Sequence, residues 1–244
     1  MRHTLLILSI VILVSIIIQP SHAFVLSNAN TLGFDKVAIS GIYSANKITT
    51  YVPKVISTDL TNYAQGFVFQ YGVLDNLDVM IGLGNIRYEI TPDIAGFLRM
   101  EGGTLFGTGV KYGILKEDEN TPLSLAFLFQ YTSFPANLTE SGIKSKGWNH
   151  DAYYKLVISK NFHTFFPYIA IGIDSRLLGI GDSRSQSTIS QIDIGYGTAV
   201  SENFVLGVEL NWSDTWNDPV MDDILAAETL SEAIGVSFGV LYLY

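Results

Sequence analysis

Three groups of residues have types and spacing that could do chemistry. His150-Asp151 and Asp174 place an imidazole and two carboxylates on neighbouring candidate strands. A histidine beside carboxylates can move a proton to or from water, which suits acid–base hydrolysis. Clustered carboxylates are often structural, so the competing reading is loop-anchoring hydrogen bonds or weak cation binding. Gly235-Val236-Ser237-Phe238-Gly239 matches G-x-S-x-G. That motif needs its serine on a sharp strand-to-helix turn. Here the serine falls inside a continuous strand pattern and reads as a small interior residue. The third group is Gln70, Asp78, Lys111, Asp151, Lys155, Asp193, Glu209 and Asn211, which share one face of their strands. Charges of both signs on one face can pair with each other or line a passage.

The pattern that positions these residues has period two. Phe204, Leu206, Val208, Leu210 and Trp212 alternate with Val205, Gly207, Glu209, Asn211 and Ser213. Ile234, Val236, Phe238, Val240, Tyr242 and Tyr244 alternate with Ala233, Gly235, Ser237 and Gly239. One face is large and apolar and the other small or polar, the signature of strands rather than helices. Ten such segments are expected, near 36–48, 63–74, 77–90, 104–116, 122–134, 148–160, 164–177, 188–200, 203–213 and 233–244. The connections alternate between short and long. A turn centred near Asn161-Phe162 would set Asp174 opposite Asn149, with Asp151 its diagonal neighbour. Residues 24–33 read as a short lead, and 214–232, including Asp222–Glu228, as a long connection able to hold a surface helix.

Composition narrows the class. Hydrophobic residues make up 48% of the 244-residue chain and charged residues 15%, more apolar than an ordinary soluble domain. The apolar run Leu5–Ile18, preceded by Arg2 and His3 and followed by Ser21-His22-Ala23, predicts a cleaved secretory signal over 1–23. After it, no apolar run is long enough for a transmembrane helix. The formal net charge is −9, which argues against nucleic acid as a partner. The chain has no cysteine. Disulfides and thiolate metal sites are therefore excluded, and no metal or cofactor is expected. Gly82-Leu83-Gly84 lacks the third glycine of a dinucleotide loop. His163 reads as a surface turn residue. Asn137-Leu138-Thr139 is a glycosylation sequon with no meaning in a bacterial product.

Short turns at one end and long loops at the other are the arrangement of a transmembrane antiparallel up-and-down β-barrel. The expectation is an all-β barrel of about ten strands over 24–244, or eight or twelve if 36–62 is read differently. Outward-parity aromatics fall near strand ends: Tyr71, Tyr112, Tyr196 and Tyr244 at the short-turn side, Tyr43, Tyr131 and Trp212 at the long-loop side. Two such belts match the interfacial girdles of membrane barrels. A soluble exported β-sandwich, the alternative, has no reason to sort aromatics by depth.

With its alternating terminal strand and hairpins such as YGVLDNLDVMIGLG (71–84), the chain resembles Gram-negative outer-membrane β-barrel proteins. The resemblance implies residence in the outer membrane, contact with its lipid, and recognition of the C-terminal strand, through Val240, Tyr242 and Tyr244, by the barrel-assembly machinery. Ten-stranded surface proteases loosely suggest a rim hydrolase at His150, Asp151 and Asp174, acting on peptide or on lipid A, but their catalytic set is not matched. The leading expectation is a non-enzymatic barrel: a structural or surface-interaction protein, or a narrow passage for small solutes. The small strand number favours a filled lumen, whereas the interior glycines favour an open one.

Overall fold

A computed structural model describes residues 28–51, 58–91, 98–135, 137–140, 143–180, 183–214 and 230–244. The expected signal over 1–23 and the expected helix at Asp222–Glu228 lie outside the described residues. Thirteen strands are present: β1 (Val37–Tyr51), β2 (Thr58–Leu74), β3 (Leu77–Thr91), β4 (Leu98–Glu101), β5 (Gly103–Leu115), β6 (Ser124–Pro135), β7 (Asn137–Glu140), β8 (Ile143–Ser145), β9 (Gly147–Ser159), β10 (Phe165–Ile180), β11 (Ser183–Ala199), β12 (Phe204–Asp214) and β13 (Leu230–Leu243).

Ten of them close into one barrel, in the order β1-β13-β12-β11-β10-β9-β6-β5-β3-β2. These are the ten segments expected from the alternation, and all neighbours pair antiparallel. The seam joins the first and last strands, from Ala38↔Leu243 to Tyr51↔Leu230. Closure leaves no barrel strand with an unpaired edge, which removes the main hazard of a long apolar sheet. It also rules out the two-sheet sandwich.

Several strands outrun their apolar pattern at the long-loop ends. β1 continues through Thr49 and Thr50 to Tyr51, and β11 begins at Ser183 within a serine-rich stretch. Ladder hydrogen bonding needs only a paired neighbour, so it persists where the apolar alternation has stopped. The connections after β3 and β6, expected as loops, contribute β4, β7 and β8. These form a separate three-stranded sheet in the order β4-β7-β8.

Side chains sort cleanly by parity. Along β5, Leu105, Gly107, Gly109 and Lys111 are buried, while Phe106, Thr108, Val110 and Tyr112 are exposed. Around the wall the outward face is large and apolar: Phe67 is 70% exposed, Leu83 59% and Leu210 59%. The core is thus the lumen, and the greasy surface is the outside. At one inward position a side chain would displace its neighbours. A Cβ on Gly235 would collide with the Oδ1 atoms of Asn46 on β1 and Asn211 on β12, so both amides would have to move.

Candidate functional site: a filled lumen

The inward residues form layers from one end of the barrel to the other. At the long-loop end Asn46 Nδ2 donates to Asn62 Oδ1 at 3.1 Å. Below it, Arg176 Nε donates to Asp151 Oδ1 at 3.0 Å, and Arg176 Nη2 donates to Asp174 Oδ2 at 2.5 Å. Asn149 Nδ2 and the Tyr153 hydroxyl complete the shell of Asp151 at 2.9 and 3.3 Å. In the next layer Lys155 Nζ meets Asp193 Oδ2 at 2.5 Å, and Gln191 Nε2 donates to Asp193 Oδ1 at 2.6 Å. The Tyr168 hydroxyl donates to Glu209 Oε2 at 2.8 Å. Asp151, Asp193 and Glu209 have no exposed surface, and Lys155 and Arg176 have almost none. Buried charges are tolerable when paired and hydrogen-bonded in this way.

The short-turn end is closed differently. Residues 28–33, expected as a lead, fold across the mouth of the barrel. The Leu32 amide donates to both carboxylate oxygens of Asp78 at 3.1 Å. Lys111 Nζ donates to the carbonyls of Asn30 at 2.9 Å and Asn28 at 3.4 Å. Ser159 Oγ accepts the Ala29 amide at 3.2 Å, and Ser124 Oγ donates to Asn30 Oδ1 at 2.9 Å. Gln70 Nε2 donates to Asp78 Oδ2 at 2.7 Å. Asp78 and Lys111, pointing inward from β3 and β5, need polar partners, and the backbone of the lead supplies them.

Gln70, Asp78, Lys111, Asp151, Lys155, Asp193, Glu209 and Asn211 all lie inside the lumen and are buried. Asp151 and Asp174 are diagonal neighbours on the lumen face as expected, but in a different register and without His150. Asp174 faces Tyr153, and Asp151 faces Arg176. The β9–β10 turn is closed by a Phe162↔Phe165 bridge, with His163 at φ 63°. Its centre therefore lies two residues later than expected, and the pairing moves by four. His150 has the opposite parity to Asp151. Its Nδ1 lies 2.7 Å from the Tyr131 hydroxyl on the outer face, and the two rings stack. The barrel wall therefore separates the imidazole from both carboxylates. Ser237 is buried mid-strand in β13, without the turn a nucleophile elbow needs. Among the described residues, no cluster of three or more His, Cys, Asp or Glu could hold a metal.

Arg176 is the residue that sequence reasoning missed, although it lies two positions from Asp174 and so shares its face. The lead was expected as a segment, but its placement across the mouth was missed because no periodicity marks it. Of the aromatics, Tyr71, Tyr112, Tyr196 and Tyr244 face outward near short-turn ends, and Tyr131 and Trp212 nearer the long-loop ends. Tyr43 faces outward too, but sits mid-strand opposite Phe238 and Gln65, because β1 runs on to Tyr51. On β13, Val240 is exposed, and Tyr242 packs edge-on against Phe204 and Tyr244. Beyond the strands, the short turns tie to each other. The Lys160 ammonium and the Asn161 amide both bond Glu117 and hold its carboxyl below the ordinary glutamate value.

No protein-family profile and no curated protein sequence matches the chain. Solved structures do. The translocator domain of the autotransporter NalP from Neisseria meningitidis aligns over 86% of this chain and 88% of its own, with a TM-score of 0.54 and 12% identity. An outer-membrane channel from Pseudomonas putida F1 aligns over 93% of this chain and all of its own, with a TM-score of 0.52 and 9% identity. At such identities the likeness speaks to architecture alone. The chain has the fold of the Gram-negative outer-membrane β-barrels, closed here by ten strands.

Proposed function

We propose that the protein is an integral outer-membrane barrel with a closed lumen and a non-enzymatic, structural or surface-interaction role. The observation that carries this reading is the paired, buried charge layer of Lys155–Asp193 and Asp151–Arg176–Asp174 across the middle of the barrel. Ions cannot pass such a layer without breaking several charge-assisted hydrogen bonds, each worth about 1.5–3 kcal/mol. The outer face supports a lipid environment, because its exposed side chains are large and apolar around the whole wall. In this reading the outer-membrane lipid is the constant partner, and β13, with Val240, Tyr242 and Tyr244, is the segment offered to the assembly machinery. A non-enzymatic role is supported by the placement of His150 outside the wall, away from Asp151 and Asp174.

The test is single-channel recording of the refolded protein in a planar bilayer, with folding verified by a heat-dependent gel shift. The expected result is a folded, electrically silent protein. Steady conductance steps would overturn the closed-lumen reading and make a narrow solute passage the working function.

A further inference from the structure

Two opposite charges at the short-turn mouth sit side by side without bonding each other. Asp78 on β3 and Lys111 on β5 are direct cross-strand partners on the lumen face. Residues so placed have Cβ atoms about 4.5–5.5 Å apart, close enough for their charges to meet. On their other sides Asp78 faces Gly72 of β2 and Lys111 faces Leu128 of β6, so neither has a second charged cross-strand partner. Their hydrogen bonds nevertheless run to the lead. Asp78 accepts the Leu32 amide at 3.1 Å, and Lys111 Nζ donates to the carbonyls of Asn30 and Asn28 at 2.9 and 3.4 Å.

The lead can come away as one piece. On the β1 side of Gly33 the chain is fixed to β2 through its backbone. The Asp35 amide donates to the Gly72 carbonyl at 2.8 Å, and the Gly72 amide to the Lys36 carbonyl at 2.9 Å. Gly33 has φ 90°, a conformation that glycine adopts freely and other residues do not. Beyond it, residues 28–32 make no backbone-to-backbone bond with a strand among the described residues. The side chains of Asp78, Lys111, Ser124 and Ser159 hold them instead. Little apolar burial adds to this: Ala29 is buried, but Leu32 keeps part of its surface open. The attachment is therefore polar, and its strength depends on what the two charges do when the lead leaves. Had they stood apart, release would strand two inward ions. Side by side across a ladder, they can close on each other.

We propose that the lead and the Asp78–Lys111 pair form a two-state latch. In the closed state the lead crosses the mouth and its backbone takes both charges. In the open state the lead swings at Gly33 into the water on the short-turn side, and the Lys111 ammonium pairs with the Asp78 carboxylate. The exchange uncovers the mouth without stranding either ion and without breaking a ladder bond. It leaves the layer of Lys155 and Arg176 untouched, so the latch works whether or not that layer bars the lumen.

Amide exchange of the refolded full chain in phosphatidylcholine nanodiscs tests the latch. The Ala29 amide bonds Ser159 Oγ and neither charge, so it reports opening of the lead. Val110, in the β5 ladder, reports the barrel. Asp78→Ala, Lys111→Met and the double variant complete a cycle. Each single change removes closed-state bonds and also the open-state pair, and these effects oppose each other. The second change removes the remaining closed-state bonds with no pair left to lose. Acceleration at Ala29 in the double variant should therefore exceed the product of the two single accelerations by about 5-fold, the upper end for an opposite-charge cross-strand pair. Val110 should not change. In the unaltered chain Ala29 and Leu32 should share one opening equilibrium. A double variant at or below the product overturns the latch, because the two charges then act independently. So does separate opening of Ala29 and Leu32, or acceleration of Val110 along with Ala29. Should Lys111→Met fail the heat-dependent gel shift, the uncharged Lys111→Gln takes its place in the cycle.

Discussion

At the scale of single residues, the decisive feature is how each inward charge is satisfied. Arg176 serves two carboxylates at once, Asp151 from the facing strand and Asp174 from its own. Both lie in a region without solvent, where an unpaired ion costs several kcal/mol. Arg176→Met should therefore leave two buried carboxylates facing each other, and should destabilise the barrel by about 3–5 kcal/mol. The triple change Asp151→Asn, Asp174→Asn, Arg176→Met removes all three charges and should recover most of that loss. Urea unfolding in lipid vesicles measures both, and a loss below about 1 kcal/mol for the single change would mean that water reaches the trio. The same residues show how far the sequence could be read at this scale. Parity placed Asp151 and the other lumenal polar residues inside, because alternation is a local property. It could not place Asp174 against its true partner, because a two-residue error in a turn centre becomes a four-residue error in pairing.

At the scale of elements, the strands and the lead were legible to different degrees for a physical reason. A strand with one face to an apolar surround and one to a small, polar lumen must alternate, and ten segments of the sequence do. The small sheet β4-β7-β8 escapes that constraint, because it lies outside the barrel wall and needs no lipid-facing side. The lead has no regular structure and so no period. Its position follows only from the three-dimensional placement of Asp78 and Lys111, which bind its backbone from two neighbouring strands. This makes the lead removable without touching the ladder. Asp78→Ala deletes the acceptor of the Leu32 amide, a charge-assisted bond worth about 1.5–3 kcal/mol. Amide exchange at Leu32 should accelerate about 10- to 100-fold, that bond energy expressed as an opening equilibrium. Exchange at Val110, inside the β5 ladder, should be unchanged. Equal acceleration at both would show that Asp78 holds the barrel rather than the lead.

At the scale of the whole molecule, the proposed placement in a membrane rests on an inversion of the soluble pattern: charge within and grease without. A water-soluble barrel with this surface would expose an apolar belt far larger than monomeric proteins carry. In lipid the same belt is the stabilising surface, and its value depends on depth. Leu83 lies well inside β3, between Phe67 on β2 and Phe106 on β5. Val79 lies two residues from the start of β3, beside Tyr71. A lysine at the bilayer midplane costs about 2–4 kcal/mol, and near the interface about 0–1. Leu83→Lys should therefore lower unfolding stability in vesicles by the larger amount and Val79→Lys by the smaller. Both side chains point away from the lumen, so neither change disturbs the charge layers or the lead. In water the two lysines would be nearly equivalent, each replacing an exposed apolar side chain with a solvated one. A graded loss along β3 would therefore mark the depth of the bilayer on the barrel wall, whereas equal and small losses would place this surface in water and overturn the membrane reading.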